Sequence, residues 1–423
     1  MPHPSSAMKT MAERYPRPDW VRRINAMGDS VGGARHLVPL DANRLRRDAA
    51  ELLGIPESGF EDPGDPGFGD RFFQLVDELD RSAMHTVGRL MTRQEIARSL
   101  LSRGRLLREL AQDPAIEKQA VRAPLVVTGP ARSGTTILFE LLSLDPELRA
   151  PLAFEGLHPV PLSTGPVDAK SATDPRLSFS ECEQEFWADV APEFAAIHEL
   201  RSDLPVECVT LTAPSFAGSH WPMVATLLEW LPEMPVSYRY HKQLLQWLQH
   251  GEPERTWLLK TPAHLMTLGL LFETYPDCWV IQTHRDPLKT MPSTVSTTAM
   301  ARWMRTDELD LGLMVKVIDA VFSAALLGVI EERRGGRLPA RFVDVHFQQL
   351  MQDPVETLRC AYADMGRELG DDHAERIREY VAAKPRGKFG IHRYTPEEWG
   401  FAPAELRERL RPYTDHYGIA LEG

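Results

Sequence analysis

The chain has 423 residues, 43% hydrophobic and 26% charged, the make-up of a globular protein with enough length for one large core or two unequal domains. Its 60 acidic against 48 basic residues leave a net charge of -12, which argues against a general nucleic-acid binder while allowing a local basic pocket. The four cysteines, Cys182, Cys208, Cys278 and Cys360, have neither disulfide-framework nor zinc-site spacing, so reduced thiols in a cytoplasmic protein are expected.

The first 20 residues lack an apolar run of signal-peptide length. Up to position 121 the pattern predicts a helical region: Leu45–Leu53 and Met84–Leu110 repeat apolar residues every three or four positions, with a Gly/Pro-rich loop, GIPESGFEDPGDPGFGD, between them. No strand is expected there. From residue 122 onward, short apolar runs alternate with helical stretches, the rhythm of a parallel α/β sheet. Strands are predicted at Leu125–Thr128, Thr256–Leu259, Trp279–Thr283 and Arg341–Val345. Helices are predicted at Thr135–Ser143 and Ala263–Tyr275, after Pro287, and at Pro354–Leu369. Asp353 before Pro354 marks a capped helix start. An aromatic-rich insert at about 154–254 is expected to face substrate or to form a packing subdomain. The apolar stretch Leu311–Ile330 carries Lys316 and Asp319 and reads as a buried helix, with no membrane span predicted.

The segment PLVVTGPARSGTTILFELL carries the clearest chemistry. A strand ends at Thr128, a turn runs from Gly129 to Gly134, and a helix opens at Thr135. Backbone N–H groups and the positive end of the helix dipole then converge on one anion site, and the two glycines let the main chain approach it closely. The spacing G-x-x-x-x-G-T-T is close to the P-loop of nucleotide hydrolases, so the expected fold is a P-loop-type parallel sheet flanked by helices. Thr135 stands where those loops carry lysine, and the loop's cation is Arg132. That exchange removes the lysine on the outer phosphates that magnesium-dependent phosphoryl transfer uses. A second element, CWVIQTHRDPLKTMPSTVS, places Arg285 just past a strand and Ser293 eight residues later, near a helix start, which suits a second phosphate. The HRD triplet there lacks the asparagine of kinase catalytic loops, since Met291 occupies that place.

Together these motifs resemble the sulfotransferases that use 3′-phosphoadenosine-5′-phosphosulfate, in a bacterial branch with an Arg-containing RSGTT loop, also similar to tyrosylprotein sulfotransferases. The resemblance spans roughly residues 124 to 394. It implies that Arg132, Ser133, Gly134, Thr135 and Thr136 hold the 5′-phosphosulfate end of that donor. Arg285 and Ser293 would hold the 3′-phosphate, and Arg386, Gly387 and Lys388 match a loop that closes over it. Lys260, in WLLKTPAHL, is similar to a lysine beside the transferred group in relatives. The acceptor would be a hydroxyl of a small molecule, lipid or glycan, with no metal required. The proton-accepting base implied is Glu155, with His158 and His264 as alternatives, and Arg132 and Lys260 supply positive charge. A P-loop phosphotransferase using ATP and magnesium, or a nucleotide binder without catalysis, are the competing readings.

Overall fold

The computed structural model describes residues 8–161, 174–196, 199–383 and 395–422. Five parallel strands, β1 (Leu125–Thr128), β2 (Leu148–Arg149), β3 (Thr256–Lys260), β4 (Trp279–His284) and β5 (Phe342–His346), lie in the order β2-β3-β1-β4-β5. All four residues of β1, LVVT, are buried, as expected for a central strand with helices on both faces. Register brings Val127 level with both Lys260 and Ile281, so the carboxyl ends of β3, β1 and β4 open at the same level. Ligands of doubly wound sheets bind at that end.

The four predicted strands are all present, each within one residue at either end. β2, only two residues long, was not anticipated. The predicted helix over Ala263–Tyr275 is instead a 3₁₀ turn, Pro262–Met266, followed by a helix, Leu268–Thr274. Thr261 caps the first through its hydroxyl, and the extended Pro-containing start favours the tighter turn. Asp353 accepts from the Glu356 N–H at 2.9 Å, the expected cap, but that helix ends at Asp364, before Gly366 at φ 69°. In the N-terminal region the loop predicted before Asp70 gives way at Phe68 to a helix, Phe68–Arg81, whose Phe68, Phe72, Leu75, Val76 and Leu79 are buried. No named strand lies between residues 8 and 121.

The helix Leu311–Arg334 is the one described helix long and apolar enough to cross a membrane, by length and composition alone. Leu311, Met314, Val315, Ile318 and Leu326 are buried, whereas Leu313, Val317 and Val321 are exposed, so it is a one-sided packing helix rather than a fully buried one.

The 27-residue helix Thr86–Gln112 joins the N-terminal region to the rest. Its Glu95, fully buried, accepts from Arg305 at 2.6 Å and lies 3.3 Å from the Nε2 of His220, so one carboxylate ties the N-terminal helix to the insert and to the segment after the Pro287–Trp303 helix. Burial alone would raise the Glu95 pKa, but Arg305 and His220 overcome it and bring it from 4.5 down to about 2. This contribution to stability is therefore present above pH 4.5 and is lost as the pH falls from about 4.5 towards 2. Glu95→Ala, leaving Arg305 buried without its carboxylate, is expected to cost about 3–5 kcal/mol in urea denaturation. A loss below about 1 kcal/mol would show that the pair does not hold the regions together.

Candidate active site

The turn after β1 is built on positive backbone angles. Gly129 has φ 141°, Arg132 φ 65° and Gly134 φ 94°. A Cβ on Gly129 would stand 2.4 Å from the Thr283 Oγ1 and 2.7 Å from its carbonyl oxygen, which leaves no room for a side chain. Arg132 takes the left-handed conformation as a non-glycine residue, a strained geometry seen where a loop has work to do. Its side chain is exposed and, among the described residues, makes no hydrogen bond or ion pair. Ser133 behaves differently. Its hydroxyl is buried, donates to the Pro130 carbonyl at 2.5 Å and lies 2.5 Å from the Thr283 Oγ1, so it braces the loop to β4. Thr135 is buried at the first turn of Thr135–Leu142, and Thr136 is exposed with its Oγ1 accepting from the Lys260 Nζ at 3.1 Å.

Lys260, 1% exposed at the end of β3, is also bonded to a residue sequence reasoning did not single out, Glu207. The insert delivers that carboxylate by a short antiparallel contact: Ala153 N–H donates to Leu204 O at 2.9 Å, and Val206 N–H donates to Pro151 O at 2.8 Å. Glu207 then begins the helix Cys208–Leu211, and its other oxygen accepts from the Thr261 hydroxyl at 3.3 Å. Thr136, Lys260, Thr261 and Glu207 thus form one polar cluster at the mouth of the loop. The insert does face the loop, at least through this residue.

The candidate base Glu155 sits elsewhere in its hydrogen bonding. One oxygen pairs with Arg149 at 3.0 Å, and the other accepts the Leu152 N–H at 2.9 Å, capping the short helix Ala153–Leu157. His158 pairs with Glu183 at 2.9 Å. The buried His264 has its Nδ1 against the Tyr238 hydroxyl at 2.6 Å. Burial pushes its pKa down to about 3, so it is a neutral imidazole.

The second anion element adjoins the first. Arg285 donates from Nη1 to the Arg132 carbonyl at 2.9 Å and lies over the Phe347 ring, 3.9 Å from its centroid. Its Nε and Nη2 reach the two carboxylate oxygens of Glu422 at 2.7 and 2.8 Å, an ion pair that holds the side edge of the guanidinium. Ser293 is the seventh residue of the helix Pro287–Trp303, and its buried Oγ has no hydrogen-bond partner among the described residues. The Arg386, Gly387 and Lys388 expected to complete the site lie outside the described residues. Among the described residues no cluster of three or more His, Cys, Asp or Glu has a metal-holding arrangement.

A glycine-framed turn at the carboxyl end of a parallel sheet, with an arginine beyond the next strand, is the architecture of an α/β protein of the P-loop-like kind. The sulfotransferase family model matches residues 124–371, and the chain belongs to that family. It is 25% identical over 315 residues to the omega-hydroxy-beta-dihydromenaquinone-9 sulfotransferases Stf3 of Mycobacterium bovis and Mycobacterium tuberculosis, covering 70% of this chain and 75% of each relative. In fold it is similar to the sulfotransferase STF9 of Mycobacterium avium, with a TM-score of 0.75, 24% identity, and 90% of this chain and 97% of that one covered. The sulfotransferase STF1 of Mycobacterium tuberculosis H37Rv gives a TM-score of 0.70 at 23% identity, covering 88% and 98%.

The two loop hydroxyls separate structural from available groups. Ser133→Ala should cost about 1–3 kcal/mol in urea denaturation, because buried partners at Pro130 and Thr283 lose their bonds. Thr136→Val removes one acceptor of the buried Lys260 ammonium, which keeps Glu207, and should cost less than Ser133→Ala, about 0.5–1 kcal/mol. Equal losses for both would contradict this division.

Proposed function

We propose that the chain transfers the sulfuryl group of 3′-phosphoadenosine-5′-phosphosulfate to a hydroxyl of an uncharged, apolar acceptor, with Glu207 as the base. The reading is carried by the Glu207–Lys260–Thr136 cluster at the mouth of the anion turn. Two observations fit this donor. The Arg132 side chain is exposed, and Ser293 Oγ is a buried polar atom with no hydrogen-bond partner among the described residues. Arg132 and the turn's N–H groups would hold the 5′-phosphosulfate end, and Arg285 with Ser293 the 3′-phosphate. Arg386, Gly387 and Lys388 belong to this proposal as further 3′-phosphate contacts.

In the proposed step the acceptor oxygen forms a bond to sulfur while the bond from sulfur to the 5′-phosphate oxygen breaks. The hydroxyl proton passes to the Glu207 carboxylate. Lys260, placed between that carboxylate and Thr136, balances negative charge that moves to the leaving phosphate. Glu155 remains the base implied by the family resemblance, but Arg149 and the Leu152 N–H take up both of its oxygens. Glu207 accepts from Lys260 and the Thr261 hydroxyl in its turn, and it is preferred because these partners, with Thr136, stand at the mouth of the anion turn. No step requires a metal, and a reducing cytoplasmic setting suits the four free thiols.

The acceptor class draws on the Stf3 relatives, which are sulfotransferases of omega-hydroxy-beta-dihydromenaquinone-9. The exposed Leu313, Val317 and Val321 on Leu311–Arg334 are compatible with an apolar acceptor.

Calorimetric titration tests the donor. Adenosine 3′,5′-bisphosphate should bind without metal, and Arg285→Ala should weaken it by about 10- to 100-fold, the worth of a charged hydrogen-bonding pair. Tight binding of ATP with magnesium and none of the bisphosphate would replace this proposal with a phosphotransferase. With donor and acceptor both present, Glu207→Gln should lower kcat by about 10²- to 10⁴-fold while leaving bisphosphate affinity nearly unchanged. Glu155→Gln should instead lower stability and largely spare kcat. The opposite pattern would return the base to Glu155.

A further inference from the structure

The arginine proposed for the second phosphate already holds an anion. Arg285 donates from Nε and Nη2 to the two carboxylate oxygens of Glu422, at 2.7 and 2.8 Å. That is the two-oxygen grip with which a guanidinium also takes a phosphate. The pair is shielded, with 18% of one side chain and 20% of the other exposed, so solvent and salt screen it only in part. Glu422 therefore neutralises the positive charge that a second phosphate would meet at this place.

The guanidinium does not need Glu422 for its orientation. Its Nη1 donates to the Arg132 carbonyl at 2.9 Å, and its central carbon lies 3.9 Å from the centroid of the Phe347 ring. These two contacts set the group's position with or without a carboxylate, so what Glu422 adds is charge. Ser293, the partner of Arg285 in the proposed phosphate site, keeps a buried Oγ with no hydrogen-bond partner among the described residues. Glu422 thus answers the arginine of that site and not its serine. Its main chain is anchored separately. The Glu422 N–H donates to the Asp286 carboxylate at 2.7 Å, and its carbonyl accepts from the Arg407 Nη2 at 3.0 Å. Asp286 is fully buried and caps the Pro287–Trp303 helix through the Leu288 N–H at 3.0 Å, which makes the anchor firm. The carboxylate can leave Arg285 by rotation about its own side-chain bonds while the backbone stays in place.

We propose that the Glu422 carboxylate is an autoinhibitory latch on the donor site. It occupies Arg285 in the absence of nucleotide and swings off when the 3′-phosphate arrives, a role that rests on the donor reading above. A doubly charged phosphate and a carboxylate held within about 4 Å of each other in a half-buried site repel strongly, so the two exclude one another at the guanidinium. Nucleotide then binds only the fraction of molecules whose latch is open, which lowers its apparent affinity by that fraction. The same competition favours departure of the bisphosphate product, because the anchored Glu422 returns to Arg285 at a high effective concentration.

The test is calorimetry on the full chain with adenosine 3′,5′-bisphosphate and, as the control without a 3′-phosphate, adenosine 5′-monophosphate. Glu422→Gln should bind the bisphosphate about 3- to 30-fold tighter than wild type, the worth of one partly exposed charged pair, and change the monophosphate by less than about twofold. Glu422→Ala is the second variant and should act in the same direction. With Arg285→Ala already in place, either Glu422 substitution should leave bisphosphate affinity within about twofold, since the latch has nothing to grip. Bisphosphate affinity that is unchanged or weaker in both Glu422 variants overturns the latch and leaves the donor reading standing. Equal tightening of both nucleotides also overturns it, as a general gain from removing one negative charge. If the bisphosphate binds neither wild type nor variant, the donor reading falls and takes the latch with it.

Discussion

The backbone of one turn constrains the whole site. Between β1 and the helix at Thr135, the chain must turn within six residues, with the Ser133 N–H bonded back to the Pro130 carbonyl at 3.2 Å. It does so by placing Gly129, Arg132 and Gly134 at positive φ. Such angles are sparsely populated and cost roughly 1–3 kcal/mol for a non-glycine residue, so the surroundings have to hold them. They do: Ser133 is clamped between Pro130 and Thr283, the Thr283 hydroxyl donates to the Thr128 carbonyl at 3.3 Å, and Arg285 donates to the carbonyl of Arg132. The strained residue is thus bonded by Arg285, the arginine proposed for the second phosphate. A ligand drawing on Arg285 would act on the loop as well.

Sheet order turns that local constraint into a site. β1 is flanked by β3 on one side and β4 on the other, so residues at their carboxyl ends, Lys260 and Arg285, fall on opposite sides of the same turn. The insert contributes the remaining charge. Its contact between Pro151–Ala153 and Leu204–Val206 fixes the position from which Glu207 meets Lys260. One ion pair therefore joins a sheet residue to an insert residue at the mouth of the turn. A lysine buried to 1% would be costly without such a partner.

Much of this could be read from the chain because the signals were local. β1, β3, β4 and β5 are short apolar runs bounded by turns, and the loop is spelled in consecutive residues. The order of Arg132, Lys260 and Arg285 along the chain needed only a parallel sheet to bring them together. The places where reading stopped short are those where distant contacts decide. β2 has two residues and exists because it lines up beside Thr256 and Trp257, which leaves no periodicity to detect. Glu207 lies 53 residues before Lys260, in a Pro-containing extended stretch with no motif of its own. Glu155 had the better sequence position, yet Arg149, six residues earlier, and the helix start at Leu152 occupy it. The one signal for Glu207 was its place directly before the short apolar run CVTL, where a helix could begin, and that says nothing about its partner.

The helical N-terminal region holds the insert through the same kind of contact that makes the Glu95 pair bear on stability. Glu95 bonds Arg305 and His220, and the neighbouring Arg98 pairs with Glu183 at 2.8 Å, which in turn bonds His158. Both chains of charge end in the insert, the element that also supplies Glu207 and most of the walls of the narrow pocket beside it. Buried ion pairs contribute little net stability but tolerate few alternative geometries, since breaking one strands a charge. A long helix outside the α/β sheet thereby fixes the shape of a pocket it does not line. On this argument, changes in acceptor preference within the family need not fall on pocket residues at all. A substitution that shifts the Glu95 or Arg98 anchor would move the insert against the sheet, and with it the distance between Glu207 and Lys260.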